Sequence, residues 1–98
     1  MLIKIHNSYR RIVAICDNEL VGKKLEEGQR VIDIRESFYK GEEKTEEEIL
    51  NILEEYSGDD ATFNIVGENS VKIALKSGLI QPEGVVNIQG VPVALVLL

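Results

Sequence analysis

Between Thr62 and Leu79 a strand, a glycine, a helix and a second glycine stand in tandem, and this order limits the chain to folds that layer helices on a sheet. Ala61–Val66 reads as a strand and Gly67 turns it. Val71, Ala74 and Leu75 then fall on one buried helical stripe, with Ile73 beside it. Gly78 ends the helix, and Leu79 is placed to fold back on Ala74 as a Schellman motif prefers. A helix start leaves backbone N–H groups unpaired, which makes Asn64, Gly67, Asn69 and Ser70 candidates for holding a phosphate or carboxylate. Glu68 adds opposing charge at that mouth, and Gly67 also has a purely conformational reading.

The rest of the chain can be laid out around this unit. Met1–His6 alternates as a half-buried strand, and Ile12–Cys16 is continuously apolar, as a central strand is. A tight turn at Asn7-Ser8 would set Lys4 opposite Arg11 and His6 opposite Tyr9. Glu19–Leu25 reads as a connection and Glu26–Gly28 as a turn. Arg30–Arg35 reads as a third strand with Ile32 and Ile34 inward, and Glu36–Lys44 as an ordered loop. Thr45 and Glu48 have capping-box spacing, and Ile49, Ile52, Leu53 and Tyr56 form the stripe of a helix that Gly58 stops. Glu54, Glu55, Asp59 and Asp60 then crowd its negative end. Two further strands, 85–88 and 93–97, are joined by 89–92. The expectation is one α+β domain over residues 1–98: a mixed sheet of about five to six strands with two main helices on one face.

Charge separates the chain into parts. Residues 1–41 carry a net +2, residues 42–60 a net −8, and the remainder balances, giving −6 in all. The acidic segment reads as the solvated face of the first helix or as a docking face for a basic protein. No early apolar stretch resembles a targeting peptide, and the longest apolar run, Val91–Leu98, is far short of the roughly 20 residues that cross a bilayer. A single cysteine excludes an internal disulfide and fits a reducing cytoplasm.

Reactive groups are scarce. His6 is the only histidine and Cys16 the only thiol, and the two lie at opposite ends of the first hairpin. Apolar neighbours make Cys16 an inert core residue, and His6 reads as a surface strand residue. One Cys and one His do not make a zinc site, and no nucleotide loop or nucleophile elbow is present. No cofactor is expected. Two loops carry polar identity beyond what folding requires: Asp17, Glu19, Lys23 and Lys24 in one, Phe38, Tyr39 and Lys40 in the other. Together Lys23, Lys24, Tyr39 and Lys40 would make a basic, aromatic patch for a stacked base and a phosphate. Alternatively, Phe38 and Tyr39 plug the edge of the core.

The ordered set Ala14-Ile15-Cys16-Asp17, Glu19-Leu20, Gly22-Lys23, Glu36, Phe38-Tyr39, Gly41, Asn64-Ile65-Val66-Gly67-Glu68, Ala74, Gly78-Leu79 and Gly90-Val91-Pro92 resembles a small archaeal family, domain of unknown function four-two-four. The resemblance implies a cytosolic, single-domain α+β protein and no established activity. In the family pattern Gly-Val-Pro is followed by His-Ala; here Val93 replaces that histidine and Ala94 keeps the next place.

Three readings follow. The first is a non-catalytic binding or adaptor module in information processing, touching RNA or a translation-associated protein. The second is a small anion or nucleotide binder or enzyme using the helix start at Gly67 with Asp17, Glu19 and Lys23. The third is a structural homo-oligomer joined through the apolar C-terminal strand.

Overall fold

The computed structural model describes residues 1–58 and 60–97; Asp59 and Leu98, which entered the charge and strand readings above, lie outside the described residues. The elements are β1 (Leu2–His6), β2 (Arg11–Cys16), β3 (Lys24–Glu27), β4 (Arg30–Asp33), α1 (Glu36–Tyr39), β5 (Glu42–Glu43), α2 (Glu46–Tyr56), β6 (Ala61–Val66), α3 (Glu68–Ser77), β7 (Val86–Ile88) and β8 (Val91–Leu97). Six strands form one mixed sheet in the order β5-β1-β2-β6-β8-β7, and β3 pairs with β4 in a separate hairpin. The α+β expectation holds.

Strand alternation gives the sheet two apolar faces. On one, Ile3, Val13, Ile15, Phe63 and Ile65 pack with Ile49 and Leu53 of α2 and Val71, Ile73 and Ala74 of α3. These are the two main helices, on one face as the spacing predicts. The α2 stripe ends at Tyr56, whose ring lies 5.2 Å from the Arg11 guanidinium. On the other face, Ala14, Cys16 and Val66 pack with Leu20, Ile34 and Tyr39. A third, short helix and the β3–β4 hairpin therefore cover part of the face that the two-helix picture left bare.

Three local expectations are corrected. The β1–β2 register is Leu2 with Cys16 and His6 with Ile12, so Lys4 faces Ala14 rather than Arg11. The connection spans residues 7–10, not two, and the register avoids setting like charges opposite each other. Lys24–Glu27 is a strand although only Leu25 is apolar; its partner β4 supplies the ladder that the pattern does not advertise. β8 begins at Val91, because Gln89 (φ 51°) and Gly90 (φ 79°) close a two-residue hairpin.

The decisive topological fact is that β2 and β6 are parallel neighbours, with Cys16 beside Val66. Both strands therefore end at the same level, and the chain turns at Asp17 and Gly67 side by side.

Candidate functional site

The residues singled out at the two strand ends do converge. The Asp17 N–H donates to the Val66 carbonyl (3.1 Å), which fixes its side chain toward the start of α3. Its carboxylate accepts from the Asn69 N–H (3.0 Å), the Ser70 N–H (2.9 Å) and the Ser70 hydroxyl (2.7 Å). Asp17 is 3 % exposed and Ser70 1 %. The anion at this helix start is thus the protein's own, placed where the free N–H groups and the helix dipole favour it.

Gly67 serves that arrangement twice. Its φ of 111° is one that side-chain-bearing residues rarely adopt, and a Cβ there would lie 2.4 Å from the Asp17 Cγ. Its N–H donates to the Pro92 carbonyl (2.9 Å), tying the turn to β8. The expectation of an open anion cradle formed by Asn64, Gly67 and Ser70 is corrected accordingly. Asn69 and Ser70 hold Asp17, Gly67 leaves room for it, and Asn64 lies mid-strand opposite Ala14 and Leu95, away from the helix start. Glu19 is exposed on a turn of 3-10 helix and shares with Asp17 and Glu68 a cleft of about 140 Å³. Among the described residues no three His, Cys, Asp or Glu side chains converge as a metal site.

The basic, aromatic patch is brought only partly together. The Ile34 N–H donates to the Lys23 carbonyl (2.8 Å), so Lys23 and Lys24 stand at the root of the β3–β4 hairpin, from which α1 departs. Lys40 follows the single turn of α1. All three lysines are exposed, but Tyr39 is only 5 % exposed, so no base can stack on it. Phe38 is half-buried and stacked on His6, with ring centroids 4.6 Å apart. Both aromatics plug the core, as the alternative reading of that loop has it, and the aromatic part of the proposed patch is withdrawn.

The lone thiol, the lone imidazole and the Tyr39 phenol already have internal roles. Burial, helped by the Asp17 charge, pushes the Cys16 thiol up to about 11, and burial with the nearby Cys16 pushes the Tyr39 phenol up to about 12. Both therefore stay neutral at physiological pH. The His6 Nε2 is 2.9 Å from the Phe38 carbonyl, and the Lys4 ammonium donates to the Ser37 carbonyl (2.8 Å). Tyr39 of α1 packs with Cys16 and Phe38 stacks on His6, and Cys16 lies opposite Leu2 at the far end of the β1–β2 ladder from His6, so the two do not pair. Val93 packs on the second core beside Val66.

Sequence reasoning singled out Asp17 and Ser70 but not their union. One signal was present: α3 begins on a glycine, which has no side chain to cap it, so a cap had to come from elsewhere.

Fold and site together define a small α+β protein whose polar centre is a structural buckle between two parallel strand ends. The chain belongs to the family described as protein of unknown function (DUF424), whose model matches residues 5–98. It is similar to the crystal structure of an uncharacterized conserved protein from the archaeon Methanopyrus kandleri, with 26 % identity and a TM-score of 0.77, over 97 % of this chain and 88 % of that one. No curated relative matches the chain. Among the described residues no helix is long and apolar enough to cross a membrane.

Proposed function

We propose that this protein is a non-catalytic binding or adaptor module, acting in the cytoplasm in information processing through contact with RNA or a translation-associated protein. The observation that carries the reading is the commitment of its reactive groups: Cys16, Asp17, His6 and Tyr39 are each engaged in holding the fold. Turnover needs groups free to exchange protons or attack, and these are not. What remains for function is the exterior. Lys23, Lys24 and Lys40 on the weakly basic front suit phosphates, and the outward Glu46, Glu47, Glu54 and Glu55 of α2 suit a basic protein.

Affinity capture from native cells, with and without nuclease, tests this. Recovery of RNA or ribosome-associated proteins supports it. For RNA, binding falls steeply with salt and with the triple change of Lys23, Lys24 and Lys40 to Glu. For a basic protein, binding survives nuclease and weakens when the α2 glutamates become Gln. Capture of neither, together with a covalent adduct on Cys16 in the native fold, would overturn it. Against anion binding at Gly67 stands the Asp17 carboxylate. A nucleotide or phosphate that raises the melting temperature would revive that alternative.

A further inference from the structure

The two edges of the main sheet are built differently, and one is unprotected. At the β5 edge the outermost strand is two residues long and charged, with the Lys44 ammonium 3.0 Å from Glu42. Short, charged edges discourage pairing with another strand. At the other edge, β7 covers only part of β8: Val86, Asn87 and Ile88 pair with Val93, Pro92 and Val91. Before Val86 the chain turns away, with the Val85 N–H bonded to the Pro82 carbonyl.

The backbone directions along β8 follow from one bond. Pro92 sends its carbonyl to Gly67, on the β6 side. Hydrogen-bonding groups alternate along an antiparallel strand, so residues 92, 94 and 96 face β6 while Val91, Val93, Leu95 and Leu97 face outward. β7 meets Val91 and Val93. Among the described residues no strand pairs with the N–H and C=O groups of Leu95 and Leu97 on this side, and their side chains are 60 % and 69 % exposed. Their β6 neighbours on that face, Asn64 and Thr62, are uncharged and half-buried, as is Ile12 on β2.

We infer that this edge is an interface between two copies of the chain, in which β8 pairs antiparallel with the partner's β8 about a two-fold axis at Val96. Leu95 of one copy then exchanges backbone hydrogen bonds with the partner's Leu97, and Leu97 with the partner's Leu95, about four bonds in all. The four leucines meet on one face of a continuous sheet. A second copy is the fitting occupant for two reasons. The open donors and acceptors at 95 and 97 are symmetric about Val96, so the edge complements itself. Among the described residues the patch also carries no charge that would select a charged partner. The acidic α2, whose Ile52 shares a cleft with Ile3 and Ile5 of β1, lies over strands about 14 Å from β8, so pairing does not press the acidic helices together.

Sedimentation equilibrium of the full chain, from micromolar to millimolar concentration, tests this. The wild-type mass rises toward that of a dimer. Leu95→Lys and Leu97→Lys each weaken association about tenfold or more while keeping the circular dichroism spectrum, because both side chains are already exposed. A second measurement reads the register. Val96 would stand opposite the partner's Val96 at a Cα separation of about 4.5 Å, within disulfide reach, so Val96→Cys cross-links under mild oxidation. Wild type, whose Cys16 is buried, does not. A strictly monomeric mass at millimolar concentration overturns the inference. So does a dimer that persists in folded Leu95→Lys and Leu97→Lys proteins, or one in which Val96→Cys fails to cross-link.

Discussion

The two main helices begin in opposite ways. α2 is capped by its own neighbours: the Glu48 N–H donates to the Thr45 hydroxyl (3.2 Å) and the Thr45 N–H donates to the Glu48 carboxylate (3.0 Å), all on the exposed surface. α3 is capped from 52 and 53 residues away by a buried carboxylate. The first arrangement secures one helix locally. The second secures a helix, two parallel strands and the turn into β8 together, because Asp17 and Gly67 also bond to Val66 and Pro92. A local cap is a detail of one element, whereas a remote one is part of the tertiary structure, and its loss should be felt throughout.

Asp17→Ala is the sharpest way to test that contrast. It leaves the buried N–H and hydroxyl of Ser70 and the part-buried N–H of Asn69 without their acceptor, and a loss of about 4 kcal/mol in urea unfolding is expected. Gly67→Ala follows, at about 3 kcal/mol, from the unfavourable φ and the collision with Asp17. Part of that loss is the collision alone, so in the Asp17→Ala background Gly67→Ala should cost less. Strict additivity in the double-mutant cycle would show that the glycine and the carboxylate do not share space. Thr45→Ala should cost about 1 kcal/mol, the ordinary worth of an exposed cap. If it cost as much as Asp17→Ala, the contrast would collapse.

The smallest effect is a pH dependence. The backbone and hydroxyl of Thr45 hold the Glu48 carboxyl below the usual carboxylate range. Its folded pKa is lowered, so its contribution is present above the unfolded pKa and is lost as pH falls through the folded one. The small stability difference between wild type and Glu48→Gln should therefore vanish in acid, followed by thermal melts across that range.

What could be read in the sequence divides along the same line. The α2 cap, both helical stripes and the β6–α3 turn rest on residues within a few positions of each other, and their spacing stated them. At the acidic end of α2 the exposed Asp60 finds a partner at long range, in its ion pair with Arg10. The Asp17 carboxylate was legible as a polar residue at a strand end, but its target depends on β2 and β6 lying side by side in parallel, which no local pattern records. The β1–β2 register failed because a four-residue connection carries no stronger signal than a two-residue one. Tyr39 looked available for stacking because an aromatic next to lysines reads the same whether its ring points in or out. Its burial depends on α1 closing over Cys16, which is again a long-range fact.

The sheet order carries a consequence for biosynthesis. β8 follows β7 in the chain yet lies between β6 and β7. A ribosome-bound fragment ending anywhere before Val91 would have β2 beside β6 but leave the other side of β6 unpaired, with nothing for β7 to join and no Pro92 carbonyl for the Gly67 turn. The sheet can therefore form from β5 to β6 early, while β7 waits until β8 leaves the exit tunnel and slots into the gap.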